Sequence, residues 1–131
     1  MGASEAAIQR LHASWREAIE RDDIDAALEL VTEDYVLWPA GAPPVAGRDA
    51  VRVLFKAALA KYRIRPSFES EEQIVSGDLA VERGWDIQRV EPRGGGEAET
   101  QRQRVFLVLR RKADGQWRYA RGMSQPGPST N

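Results

Sequence analysis

The sequence predicts an α+β domain in which helices pack on one face of a strongly curved antiparallel sheet, a cone with a pocket at its wide end. Three observations lead there. The N-terminal half carries apolar stripes at helical spacing, whereas the second half reads as strand-length segments split by Gly- and Asp-Gly-containing turns. The resulting order, α-α-β-α-β-β-β-β, puts helices ahead of a run of hairpin-linked strands, which segregates the helices to one face of the sheet. At 131 residues the chain has the size of one domain, residues 1–131, and 42% apolar residues suffice for one core. Leu, Ile, Val and Phe make up only about a fifth of it, so the core is modest and leaves room for a cavity.

Each element has its own signal. Ser4 to Arg21 is a helix with Ser4 as N-cap, because Ile8, Leu11, Trp15, Ala18 and Ile19 share one stripe. Asp22-Asp23 breaks it and caps a short second helix, Ile24 to Val31. Thr32-Glu33-Asp34 reads as a turn and Tyr35 to Trp38 as a short strand ended by Pro39. Ala40 to Gly47 holds Pro43 and Pro44 between glycines, a composition that forces an extended loop. A third helix runs from Arg48 to about Tyr62, with Val51, Leu54, Phe55, Ala58 and Leu59 as its stripe. Strands follow over 65–75, 79–91, 100–111 and 116–124. Their turns are Ser76-Gly77-Asp78, the tip Pro92 to Glu97, and Lys112 to Gly115 of the Asp-Gly type. Residues 125–131 are expected to fray.

Composition removes several classes of function. There is no cysteine and one histidine, His12. Disulfides, thiolate catalysis and Cys-based zinc sites are excluded, and a Ser-His-Asp triad has little to draw on. No spacing makes a metal site, and no cofactor is expected. A net charge of −1 gives no overall field for nucleic acid or a membrane surface. The start, MGASEAAIQR, lacks the basic and apolar regions of a signal peptide and the Ser or Thr of a myristoylation signal. The longest uncharged stretch, Tyr35 to Gly47, is far short of the ~20 apolar residues a spanning helix needs. A soluble cytoplasmic protein is the expectation. Charge is unevenly spread: residues 1–50 carry ten acids and four bases, and residues 91–131 carry eight bases and four acids. Opposite solvated faces, or complementary surfaces meeting in a dimer, both account for this.

The chain resembles the nuclear transport factor 2-like superfamily, in its ketosteroid-isomerase-like and SnoaL-like branch, SgcJ/EcaC-type. The residues that carry this are Trp15 ahead of Asp23, Ile24, Asp25 and Leu28; Glu33-Asp34-Tyr35; Pro39 and Gly41; and Gly47-Arg48-Asp49-Ala50-Val51. Later come Ser76-Gly77-Asp78-Leu79-Ala80, Arg83-Gly84, Phe106 to Arg111, Asp114-Gly115 and Trp117-Arg118. The resemblance implies a cone-shaped fold of three helices on a curved sheet, a cavity for a small hydrophobic molecule, and a homodimer through the outer sheet face. Catalysis of isomerase, cyclase or dehydratase type is found in that superfamily on many sites. The isomerase branch uses a tyrosine on the first helix, a base Asp before the proline of the first strand and a protonated Asp on a later strand. Here those places hold Trp15, Trp38 and the neighbourhood of Phe106 and Leu107, so steroid isomerisation by that route is not expected. Where the SgcJ/EcaC-type group often has an Asp in the last strand, this chain has Gly122.

Two carboxylates remain as candidate catalytic groups. In the strand from Leu79, one face holds Ala80, Glu82, Gly84, Asp86 and Gln88. Alignment to the family puts this set on the concave side. Glu82 and Asp86 then face the cavity roughly 13 Å apart along the strand, with Gly84 between them leaving space for a ligand. A carboxyl in an apolar pocket has a raised pKa and serves as acid or base. The opposite register puts both in water and turns Trp85 and Ile87 inward. On the next strand Gln103 shares a face with Val105, Leu107 and Leu109, and Arg102, Arg104 and Arg110 share the other. That arginine row is a solvated or dimer-paired edge; nucleic-acid binding through it finds no support in the net charge. Trp15, Tyr35, Trp38, Leu54 and Phe55 line the apolar end or simply fill the core. His12, one turn before Trp15, is either a proton shuttle or a half-exposed helix residue without a role. Two functions follow: a hydrophobic-ligand site with metal-free acid–base chemistry, or a ligand-binding or dimerisation module without chemistry.

Overall fold

Four strands of ten or more residues dominate the structure, a computed structural model that describes residues 2–128. The elements are α1 (Ala3–Glu20), α2 (Ile24–Leu28), β1 (Val31–Trp38), β2 (Val45–Ala46), α3 (Arg48–Lys61), β3 (Tyr62–Ser76), β4 (Leu79–Pro92), β5 (Glu99–Arg111) and β6 (Trp117–Pro126). They form one six-stranded sheet in the order β2-β1-β6-β5-β4-β3, with the helices on its concave side. The predicted α+β architecture is present.

Details differ from the sequence reading where tertiary pairing overrides local signals. The sheet is mixed, because β1 runs parallel to β6. Val31 to Asp34 belong to β1 instead of a helix end and a turn. Val31 pairs with Tyr119, and the Tyr119 amide donates to the Leu30 carbonyl at 2.9 Å. The proline-rich loop contributes the two-residue strand β2, paired with Val36 and Leu37. Gly2, not Ser4, occupies the N-cap of α1 and supplies no side-chain cap. β6 continues through Gln125 and Pro126, so the expected fraying does not begin at 125; residues 129–131 lie outside the described residues.

The junction between α1 and α2 follows the sequence. Asp22 takes the left-handed conformation (φ 58°), which aspartate tolerates better than most side chains. Its amide donates to the Ile19 carbonyl and that of Asp23 to the Ala18 carbonyl, closing the helix. The Asp23 carboxylate then accepts from the Ala26 amide at 3.0 Å and starts α2. α1 buries Ile8, Leu11, Ala18 and Ile19. Burying each large aliphatic chain contributes about 1.5–3 kcal/mol, which fixes which face of α1 meets the sheet.

Irregularities bend the sheet. The β3–β4 register shifts between Ser70 and Glu72, and the β5–β6 register between Val108 and Leu109. An extra residue in one strand of a pair kinks it and increases its twist. The concave face so formed carries Phe68, Gln73, Glu82, Gly84, Asp86, Gln103, Leu107 and Tyr119. The convex face leaves Ile74, Leu79, Phe106 and Met123 exposed among arginines and glutamates. Among the described residues, no helix is long and apolar enough to cross a membrane.

Candidate functional site

Glu82 is the most deeply buried charged side chain among the described residues, at 2% exposure. Alternation along β4 turns it inward with Ala80, and Trp85 lies on the other face. Its Oε1 sits 2.6 Å from Nε2 of His12, and its Oε2 accepts from the Gln73 amide at 3.0 Å. The second ring nitrogen of His12, Nδ1, lies 2.6 Å from the Tyr119 hydroxyl. A carboxylate only accepts, so Nε2 carries a proton and donates to Glu82, while Nδ1 accepts from the Tyr119 hydroxyl in the neutral ring and donates to it in the charged one. The result is a chain Tyr119–His12–Glu82–Gln73 tying α1 to β6, β4 and β3. Burial opposes ionisation of Glu82. The hydrogen bond and charge of His12, with Ser70 and Gln73, outweigh it and hold the carboxyl below its ordinary pKa.

Asp86 is in a different environment. It faces Phe68 on β3 and Gln103 on β5, each its direct cross-strand partner. Among the described residues its one side-chain donor is the Gln88 amide at 2.9 Å. Burial dominates and pushes its pKa up to about 6 from 3.8, with only the Gln88 bond opposing. Tyr35 is held well above its usual pKa by burial first and by Asp86 second, so its hydroxyl stays protonated. Burial, then Glu82, Tyr35 and Asp86, do the same to Tyr119. Two carboxyls on one strand thus have their titrations moved in opposite directions, the pattern that separates acid and base roles.

His12 and Trp15 meet at the first group: Trp15 packs edge-on against Tyr119 and Phe55, with ring centroids 5.6 Å apart in both pairs. Tyr35 and Gln103 belong with Asp86. Trp38 and Leu54 do not join either group. Alternation along β1 puts Tyr35 and Leu37 on the concave face and Trp38 on the other, beside the exposed Met123. On α3 the inward stripe is Val51, Phe55 and Leu59, and Leu54, one position off it, is 37% exposed and packed into neither core cluster.

Gly84 does not leave space for a ligand. A Cβ there falls within the van der Waals shell of the Glu69 carbonyl oxygen and 3.0 Å from Cζ of Phe68. Glycine is needed because the bulge brings the β3 backbone over it. The deep end of the cone is filled as well: the His12 ring lies 4.6 Å from that of Phe68 and 5.6 Å from that of Tyr119. Two open concavities of about 420 and 510 Å³ lie elsewhere, around Arg110 to Ala113. Of their arginines, Arg110, Arg111 and Arg118 are paired with Asp34, Asp78 and Asp114, and Arg48 donates to the Val31 carbonyl. Among the described residues no group of three His, Asp or Glu is placed to hold a metal ion.

Tyr119 and Phe68 were absent from the sequence-derived site. Strand alternation puts Tyr119 on the same face as Trp117, which marks it as inward. Its partner His12 is 107 positions away, and no local pattern reveals that pairing. At Gly122 the Tyr35 hydroxyl lies 2.9 Å from where a Cβ would stand, so this phenol occupies the place where the family resemblance puts an Asp.

Helices on the concave side of a bent mixed sheet, with polar groups set in that face, define the class. It is that of the ketosteroid isomerase-like and NTF2-like folds. The chain belongs to the SnoaL-like domain family, whose model matches residues 12–120. Among solved structures it is similar to a conserved protein from Planctomyces limnophilus, with 26% identity over 97% of this chain and 98% of that one and a TM-score of 0.88. A ketosteroid isomerase-like protein from Erwinia carotovora atroseptica is 22% identical over 98% and 100% of the two chains, with a TM-score of 0.83. An NTF2-like protein with a cystatin-like fold from Novosphingobium aromaticivorans is 21% identical over 96% and 83%, with a TM-score of 0.78. No curated protein matches the chain.

The opposed titrations give a pH signature. A carboxyl whose folded pKa is raised binds its proton more tightly in the native state, so Asp86 makes stability fall as pH rises from about 4 to about 6. Asp86→Asn removes this loss. It is expected to raise stability by roughly 2 kcal/mol at neutral pH and by almost nothing near pH 3. Urea unfolding at both pH values checks it, and equal gains at the two rule out burial of an ionised Asp86.

Proposed function

We propose that the Asp86 end of the concave face binds a small hydrophobic molecule and moves a proton on it, in chemistry of isomerase, cyclase or dehydratase type. The observation that carries this is a half-buried carboxyl set among Tyr35, Gln103, Gln88 and Phe68 with one side-chain donor among the described residues, where burial pushes its pKa up to about 6. A general acid or base works best with a pKa near the working pH. The Tyr35 hydroxyl is a hydrogen-bond donor that stays protonated, suited to a carbonyl oxygen that gains charge as Asp86 takes a proton from the carbon beside it. Glu82 is committed to His12 and Gln73 and holds the frame. In this reading the candidate acid or base is Asp86 alone, and Glu82 is a positioning residue.

A thermal-shift screen with steroids, aromatic polyketides and fatty acids tests the site, because a ligand that binds only the native state raises the melting temperature. A hit that shifts wild type and loses its shift in Tyr35→Phe with Gln103→Ala supports the assignment. A hit whose shift is unchanged in that double variant places the ligand elsewhere and ends it.

A further inference from the structure

We infer that the ligand of this site is a hydrophobic amine bound in its protonated form, with Asp86 as its counter-ion. This rests on the part of the proposed function that makes the Asp86 end a ligand site; it names the chemical class that site takes and gives Asp86 charge pairing in place of proton transfer. The inward faces of β3, β4, β5 and β6 carry carboxylates, amides, hydroxyls and rings, and apart from Arg111 at the far end of β5 no lysine or arginine. The basic side chains near the sheet ends and edges pair outward, as Arg83 does with Glu71 and Glu72, Arg111 with Asp78 and Arg118 with Asp114.

The two inward carboxylates are not equivalent. Glu82 has His12 against one oxygen and Gln73 against the other. Asp86 has one neutral donor, Gln88, and no cation within ion-pair distance among the described residues. A buried charge normally has a partner, because leaving water without one is costly. Here the chain supplies none, and a bound ammonium group supplies what is missing. Phe68, its cross-strand partner, and Tyr35, close enough to feel its charge, supply aromatic surface for the ligand's apolar body. A neutral isostere finds the same apolar surface without the charge pairing. A carboxylate ligand meets two like charges.

The probes are 2-phenylethylamine and 2-phenylethanol, which share one body and differ in the charge of the head group. Each is titrated near neutral pH into wild-type protein and Asp86→Asn, with backbone amide chemical shifts as the readout. The expected result is that wild type binds the amine about tenfold more tightly than the alcohol, a ratio worth about 1.4 kcal/mol. Asp86→Asn brings the ratio to about one, and Asp86→Glu keeps the preference. An alcohol that binds wild type as tightly as the amine overturns the inference and leaves the ligand site standing. So does a preference that survives in Asp86→Asn. If neither probe shifts the amides of Asp86, Gln103 or Tyr35, the ligand-site reading falls, and the cation preference with it.

Discussion

Gly84→Ala is expected to lower stability by about 3 kcal/mol and the melting temperature by roughly 10 °C. The cause is backbone geometry. The register shift between Ser70 and Glu72 swings the Glu69 carbonyl over Gly84, so a methyl group there overlaps the oxygen and also meets Cζ of Phe68. Neither neighbour can give way. Glu69 is paired with Trp85 in the β3–β4 ladder, and the Phe68 ring is backed by that of His12. Relief requires the bulge to open, which disturbs the register that brings Phe68 opposite Asp86 and Gln73 opposite Glu82. Gly94→Ala is the control, since a Cβ at that turn position meets nothing within 4 Å. Urea melts of the two variants decide the matter. A Gly84→Ala protein within about 0.5 kcal/mol of wild type shows that the bulge does not lie over this residue.

Much of this arrangement was legible in the sequence, because it follows from short-range periodicity. The helical stripe of α1, the Asp22-Asp23 break and the alternation that sets Glu82 and Asp86 on one face of β4 all depend on neighbours a few positions apart, whereas the choice of that face as the concave one came from the family resemblance. What escaped depends on partners far along the chain. The β1–β6 pairing is parallel and joins Val31 to Tyr119, so nothing near Thr32-Glu33-Asp34 reveals it. The bulge in β3 has no composition signal, and it changes the meaning of Gly84 from open space to close backbone approach. Trp38 is the opposite case: its distance of three from Tyr35 already puts it on the other face of a strand, information that the family resemblance masked. His12 was visible as the single histidine, but its role needed two partners, one 70 and one 107 positions away.

His12→Ala is expected to be at least as damaging, at about 3 kcal/mol near neutral pH. Removing the ring leaves the Glu82 carboxylate, 2% exposed, with only its neutral donors, and it strips the Tyr119 hydroxyl of its partner. The cost has a pH dependence of fixed sign. In wild type the Glu82 carboxyl is held below its ordinary pKa of 4.5 by His12, so its contribution is present above that pH and fades as pH falls. The gap between wild type and His12→Ala is therefore widest at neutral pH and narrows below about pH 4, where Glu82 is protonated in the variant's native and unfolded states alike. A methyl-for-ring cavity alone would give a gap independent of pH. The triple change His12→Leu, Glu82→Leu, Tyr119→Phe separates the two contributions further. It removes the buried Glu82, its His12 partner and the Tyr119 hydroxyl at once, leaving only the half-exposed Gln73 amide, and fills the same space with apolar atoms, a replacement that is often neutral or stabilising for buried ion pairs. Recovery of wild-type stability in the triple variant, beside a destabilised single variant, shows that the cost lies in stranding the charge. A triple variant as unstable as His12→Ala shows that the Tyr119–His12–Glu82 chain itself contributes net stability to the cone.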